Sequence, residues 1–188
     1  MKFALAFVLI AASVSAQNSA PAPFPQSACG PMNVKFQINI DDGHSPIPKV
    51  EPGKALVFVI EDQRYTGAND VTVRVGLDGA WVGATQGNSY LSFTVEPGEH
   101  HLCADIRPGI LYPGRTVSLS GLTAEAGRVY YFRARTTGGP SAALAPDATI
   151  FIDLDLLNGD EGKLLVASSP LSVSNPKPIK TEGKRQGF

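Results

Sequence analysis

Apolar and polar residues alternate with a period of two over several short stretches of this chain, which is the pattern of half-buried strands. In residues 34–40, Val34, Phe36, Ile38 and Ile40 share one parity, and Lys35, Gln37 and Asn39 the other. Residues 71–75, 89–95, 116–122, 128–135 and 148–156 alternate in the same way. In the last of these, Ile150, Ile152 and Leu154 oppose Phe151, Asp153 and Asp155. Residues 55–60 (ALVFVI) are apolar without a break. This predicts a central strand covered on both faces.

Turn chemistry separates these stretches. Asp78-Gly79 predicts a two-residue hairpin with φ > 0 at both positions, followed by a return strand from Trp81 and Val82. Residues 83–88 are read as a second turn. Pro97-Gly98 and Ala126-Gly127 predict further turns. Residues 41–53, 61–70, 105–115 and 138–146 read as loops. One segment has helical signals: Asn158 as a cap, Asp160 and Glu161 in a first turn, then Leu164, Leu165 and Ala167 to pack on a sheet. The expected fold is all-β: a single β-sandwich of roughly eight or nine mostly antiparallel strands with one short C-terminal helix.

The ends of the chain differ from this middle. Lys2 precedes residues 3–12, which are apolar throughout, and small residues follow up to Ala16. That order predicts a secretory signal peptide over residues 1–16. The apolar run is too short for a bilayer span of about 20 residues, so no transmembrane segment is expected in the mature chain. Residues 17–28 form a flexible Pro-rich leader, residues 29–174 the β-sandwich domain, and residues 175–188 a disordered basic tail. Localisation follows as exported, to periplasm, cell envelope or exterior. In that oxidising setting the only two cysteines, Cys29 and Cys103, are expected to form a disulfide. Cys29 lies too far beyond the apolar run, and after the wrong residues, to be a lipidation site.

Composition narrows function more than it defines it. A net charge of −1 argues against a nucleic-acid partner. His101 and Cys103 fall on one strand face and are metal-ligand types, with His44 as a further candidate, but a closed zinc site needs four ligands. A disulfide at Cys103 is the simpler reading. Asp153 and Asp155 lie on one strand face, as a glycosidase pair would, yet opposite an apolar face they read as solvated. No G-x-S-x-G elbow or phosphate-binding glycine spacing occurs. Tyr65, Tyr90, Tyr112, Tyr130, Tyr131 and Trp81 are core or platform aromatics. Lys177, Lys180, Lys184 and Arg185, against Glu182, give the tail a basic character that could meet anionic envelope polymers, but a soluble, frayed terminus is the simpler reading. No catalytic, cofactor-binding or metal residue is assigned.

Residues 52–134 carry a resemblance. GKALVFVI, VGLDGAWVGATQGNSYLSFTVEPGEHHLCA and LTAEAGRVYYFRA follow one another. This order resembles a bacterial family of secreted proteins and lipoproteins known only as a domain of unknown function. The DG-x-x-VG…PG-x-H portion resembles the small β repeats named PEGA domains. The resemblance implies a sandwich of the transthyretin or carboxypeptidase-regulatory sort, envelope association and no catalytic residues. The expected function is therefore a non-catalytic exported module that binds or spaces an envelope polymer or envelope protein. The alternative is a small-ligand carrier with a pocket between the sheets. A hydrolase or a metal-binding protein ranks below both.

Overall fold

The structure, a computed structural model, describes residues 28–42, 46–63, 71–106, 116–137 and 151–178. Residues 1–27, including the expected signal peptide, and His44, Tyr65, Tyr112 and Lys180 to Arg185 lie outside the described residues. In chain order the elements are β1 (Val34–Asp41), β2 (Ala55–Glu61), β3 (Thr72–Leu77), β4 (Ala80–Gln86), β5 (Ser89–Val95), β6 (Gly98–Ile106), β7 (Thr116–Ala124), β8 (Val129–Thr137), β9 (Phe151–Leu156), α1 (Gly159–Ser168) and β10 (Leu171–Pro178). They form an all-β sandwich. One sheet has the order β1-β10-β5-β2-β8-β9 and the other β4-β3-β6-β7. Most pairings are antiparallel; β2 with β8, and β10 with β5, are parallel.

The apolar run in β2 takes the central place expected of it, between β5 and β8. Val57 and Val59 enter the core between the sheets, with Val73, Val75, Leu102, Ala104, Ile106 and Phe132. Leu56, Phe58 and Ile60 point the other way, into a second cluster with Tyr90, Tyr131 and Val166 of the helix. Both faces are dry, and each large side chain so buried contributes about 1.5–3 kcal/mol. The Asp78-Gly79 hairpin forms as expected, with φ of 49° and 87°.

The two sheets are bonded to each other along both sides. Ser118 Oγ on β7 accepts the Leu154 N–H of β9 at 3.1 Å. On the opposite side Ser174 Oγ accepts the Ala84 N–H at 2.9 Å, and Ser172 donates to the Ala84 carbonyl at 2.7 Å. Both edge strands of the smaller sheet are thereby tied to the larger one, which blunts edges that would otherwise template pairing with other chains.

Helix α1 lies on the outer face of the larger sheet. Asn158 Oδ1 accepts the N–H groups of Asp160 and Glu161, and those two acids complement the positive helix end. Its buried positions are Gly162 and Val166, one turn apart. A Cβ at Gly162 would overlap the Tyr131 ring, so glycine is what lets the helix seat on the sheet. The expected packing of Leu164, Leu165 and Ala167 is therefore corrected. Only Leu165 packs toward the cluster, while Leu164 is 68% exposed and Ala167 faces outward.

Several expected boundaries also shift. Residues 83–86, read as a turn, continue β4. A bulge between Val75 and Gly76 resets the register, and Gly83 faces Leu91 and Ser174 with little room for a side chain. Glu61 and Asp105, assigned to loops because of their charge, close β2 and β6 and are fully buried. Residues 175–178, placed in the tail, are instead strand and pair with β1 in register: Phe36 opposite Pro176, and Val34 opposite Pro178. Ala28, placed in the leader, is buried.

The outer face of the smaller sheet is covered by residues 28–33. Cys29 is disulfide-bonded to Cys103, with Cα atoms 5.2 Å apart. Gly30 lies against the Trp81 ring, and Trp81 Nε1 donates to the Pro31 carbonyl at 2.8 Å. The Arg74 guanidinium sits 4.4 Å from the Trp81 ring centre and pairs with Asp105 beneath it.

Candidate functional site

Among the described residues, several of the side chains that the sequence marks for chemistry hold strands together. His101 and Cys103 do share a strand face, but Cys103 Sγ is bonded to Cys29 and His101 is exposed. Among the described residues, no three His, Cys, Asp or Glu side chains are grouped to hold a metal ion. Asp153 and Asp155 are exposed on β9 and stand opposite Arg135 and Arg133. Tyr131 stacks on Phe58 at 5.3 Å under the helix. The Tyr130 hydroxyl accepts the Glu125 N–H and donates to the Thr123 carbonyl, fixing the β7–β8 turn. Arg133 bridges Asp62 at 3.1 Å and Glu161 at 2.8 Å, joining β2, β8 and α1.

His100 belongs to the same class. Its Nδ1 lies 2.6 Å from Asp78 Oδ2 and its Nε2 2.8 Å from the Glu96 carbonyl. An ionised carboxylate and a carbonyl can only accept, so the two bonds are made together only by the protonated ring. The Asp78 hydrogen bond raises the His100 pKa above its ordinary 6.5, helped by the Glu96 carbonyl and the Asp78 charge against a smaller burial effect. For Asp78, burial acts upward, but the bonds from His100 and the His101 N–H outweigh it and lower the carboxyl below 3.8. The latch stabilises the fold between these limits. The His100 part is fully present below pH 6.5 and is lost as pH rises through its raised value; the Asp78 part is lost as pH falls through its lowered one. An NMR titration of the His100 ring checks this. Asp78→Asn is expected to move the midpoint downward, and an unchanged midpoint would refute the latch.

One concave feature among the described residues lies elsewhere, outside the two sheets. A cleft of about 360 Å³ opens where the end of β1, the start of β10 and the last turn of α1 meet over Tyr90. Register explains the convergence. Asp41 pairs with Leu171 across β1 and β10, and Leu171 pairs with Tyr90 across β10 and β5. These three side chains therefore share the helix-facing side of the sheet. Leu171, Val166 and Tyr90 make the floor; Asp41, Asp42 and Ile47 form one wall and Ser168, Ser169 and Pro170 the other. Burial, with a smaller part from the Asp41 charge, raises the Tyr90 pKa above 10.0. Ser168 Oγ donates to the Leu165 carbonyl, leaving its lone pairs to accept. Ser169 Oγ is buried with no hydrogen-bond partner. Of these residues the sequence marks only Tyr90, because the cleft draws on three segments far apart in the chain. Comparison with protein-family models, with curated proteins and with solved structures returns no match.

Proposed function

We propose that this chain is an exported, non-catalytic β-sandwich that works at the cell envelope by holding a ligand or partner. The observation that carries the reading is the Cys29–Cys103 bond, which fastens the residues directly after the Pro-rich leader to the sheet. Such a bond belongs to an oxidising compartment, and the signal-like order of residues 1–16 directs the chain to one. Binding rather than turnover is supported by the ionisable groups. Arg74 with Asp105, Arg133 with Asp62 and Glu161, and His100 with Asp78 are committed to one another as structural ties. The second reading, a small-ligand carrier, is favoured by the cleft over Tyr90, which lies outside the sandwich and not at the expected place between the sheets.

Export is tested by expressing the full chain with its first 16 residues and fractionating the cells. The expected product lies outside the cytoplasm, begins at Gln17 and contains no free thiol. Cytosolic material that keeps Met1 and two reduced cysteines would overturn the proposal.

A further inference from the structure

The two sheets have four edge strands, β1, β9, β4 and β7. Three of them are bonded across to the opposite sheet: β4 through Ala84, and β7 and β9 through Ser118 and Leu154. The fourth, β1, pairs with β10 over its whole length without a bulge and contains neither proline nor glycine. The prolines of β10 fix which of its backbone groups face outward. Pro176 and Pro178 have no N–H and stand opposite Phe36 and Val34, so those positions are non-hydrogen-bonded pairs of the ladder. Lys35, Gln37, Asn39 and Asp41 therefore turn their backbone groups to β10, and Val34, Phe36, Ile38 and Ile40 turn theirs away. The Val34 carbonyl agrees, because Arg74 Nη1 reaches it from that side at 3.0 Å. Among the described residues, the backbone groups of Phe36, Ile38 and Ile40 meet no partner there, and their side chains are only half-buried. A regular edge of this kind is a template for another strand.

We propose that two copies of this chain associate through β1, antiparallel across a two-fold axis at Ile38, so that their six-stranded sheets join into one. This goes beyond the reading of the chain as an exported module and does not depend on it. The partner is a second copy because the strand is complementary to itself. With Ile38 opposite Ile38, Phe36 meets Ile40 on the apolar side and Gln37 meets Asn39 on the polar side. Lys35 then meets Asp41 at each end. Lys35 also stands opposite Lys177 on β10, so one end of the edge is cationic, and Asp41 with Asp42 makes the other end anionic. The two-fold sets each end against its opposite. Asp41 keeps the contacts it has in its own chain, since a carboxylate accepts from several donors. The neighbouring registers that keep the faces matched are worse. One sets Phe36 against Asp42. The other sets Lys35 against Asn39 and draws on Val34, whose carbonyl Arg74 already holds. In the Ile38 register the paired residues exchange hydrogen bonds through Phe36, Ile38 and Ile40 alone. An isologous pairing of this kind is closed, so it stops at the dimer.

The test follows the oxidised mature chain by sedimentation from micromolar to millimolar concentration. The expected result is a reversible monomer–dimer equilibrium with no larger species. Amide exchange then locates the contact. The Phe36, Ile38 and Ile40 amides are expected to be protected at high concentration and to exchange on dilution, while those of Lys35, Gln37 and Asn39 stay protected by β10 at both. Ile38→Pro removes an N–H that points outward and spares the bonds to β10. It is expected to weaken association about thirtyfold, the loss of two net hydrogen bonds at the central pair. A charge test stands apart from the folding of that variant. Lys35→Asp and Asp41→Lys each set like charges against each other at both ends, and each alone is expected to weaken association about tenfold. An equal mixture of the two is expected to recover it, because every contact between the copies is then one of opposite charges. Within one chain the two positions lie about 20 Å apart along β1, so recovery reports contact between copies. A monomer at millimolar concentration, an open-ended polymer, native affinity in Ile38→Pro, or no recovery in the mixture would overturn the proposal. So would protection of the Phe36, Ile38 and Ile40 amides at every dilution, which would mean that another part of the same chain covers the edge.

Discussion

Replacing Cys29 and Cys103 together with alanine is expected to lower the unfolding free energy by about 4 kcal/mol and the melting temperature by about 10 °C. The two residues are 74 positions apart, so the bond closes a long loop in the unfolded chain and removes much of its entropy. The Cα separation of 5.2 Å is ordinary for a disulfide, so the bond forms without backbone movement. Against a typical domain stability of 5–15 kcal/mol, the loss is a large share. It is expected to be felt first at the outer face of the smaller sheet. Both cysteines are buried there with Ala28 and Trp81, and residues 28–33 are held by that bond and by the contacts of Gly30 and Pro31 with Trp81. Trp81 is the single tryptophan, so its emission reports on this corner alone. Reduction is expected to shift that emission to the red at denaturant levels where the far-ultraviolet signal of the sheets persists. Coincident transitions, or a loss under about 1 kcal/mol, would show that the bond does not set stability in this way.

How far the sequence reveals this fold depends on whether the deciding interaction is local. Asp78-Gly79 is legible because only certain residues accept φ > 0 at both turn positions. The central place of β2 is legible because both of its faces are apolar. Helix α1 is found through its cap, but its buried face is misjudged: the contact is made by a glycine under Tyr131, which hydropathy ignores. Residues 175–178 (NPKP) oppose strand formation by propensity. They are strand because β1 pairs with them. Pro176 and Pro178 lie two apart, so the N–H that each lacks falls on one side of the strand. The pairing with β5 is confined to Leu171, and the prolines stand beyond it. Asp105 reads as a loop residue because its charge suits solvent. Nothing near it in the sequence announces that Arg74 will meet it.

The cleft shows the same limit. Asp41 and Asp42 look like the start of a loop, and Ser168 and Ser169 like the frayed end of a helix. Only the β1–β10–β5 register brings them over one tyrosine. The order β1-β10-β5 depends in turn on the chain returning through α1 to insert β10 between two earlier strands. That long-range event has no signal in periodicity, whereas the presence of each strand does.

Arg74→Met is expected to cost about 3–5 kcal/mol, the effect of removing one partner from a buried ion pair. Arg74 and Asp105 side chains are 5% and 0% exposed, and both the Nε and the Nη2 of Arg74 donate to Asp105 Oδ1. Without the guanidinium, the carboxylate stays in the interior facing an uncharged thioether. Arg74→Lys keeps the charge but not the planar fork, nor the stacking 4.4 Å over Trp81, and is expected to fall between the two. The double replacement Arg74→Met with Asp105→Leu removes the desolvation cost along with the attraction. It is expected to be more stable than either single variant, with a coupling energy of several kcal/mol in the cycle. Urea unfolding of the four proteins supplies the measurement. Additive single effects would mean that the two side chains do not act as a pair. The consequence reaches the cleft, because Arg74 Nη1 also donates to the Val34 carbonyl at 3.0 Å and so ties the first residue of β1 to the smaller sheet. The same strand ends at Asp41, on the cleft wall. The double replacement is therefore expected to restore stability without restoring that anchor. Its β1 amides are expected to exchange with solvent faster than those of the native chain, even where the global unfolding free energy is the same.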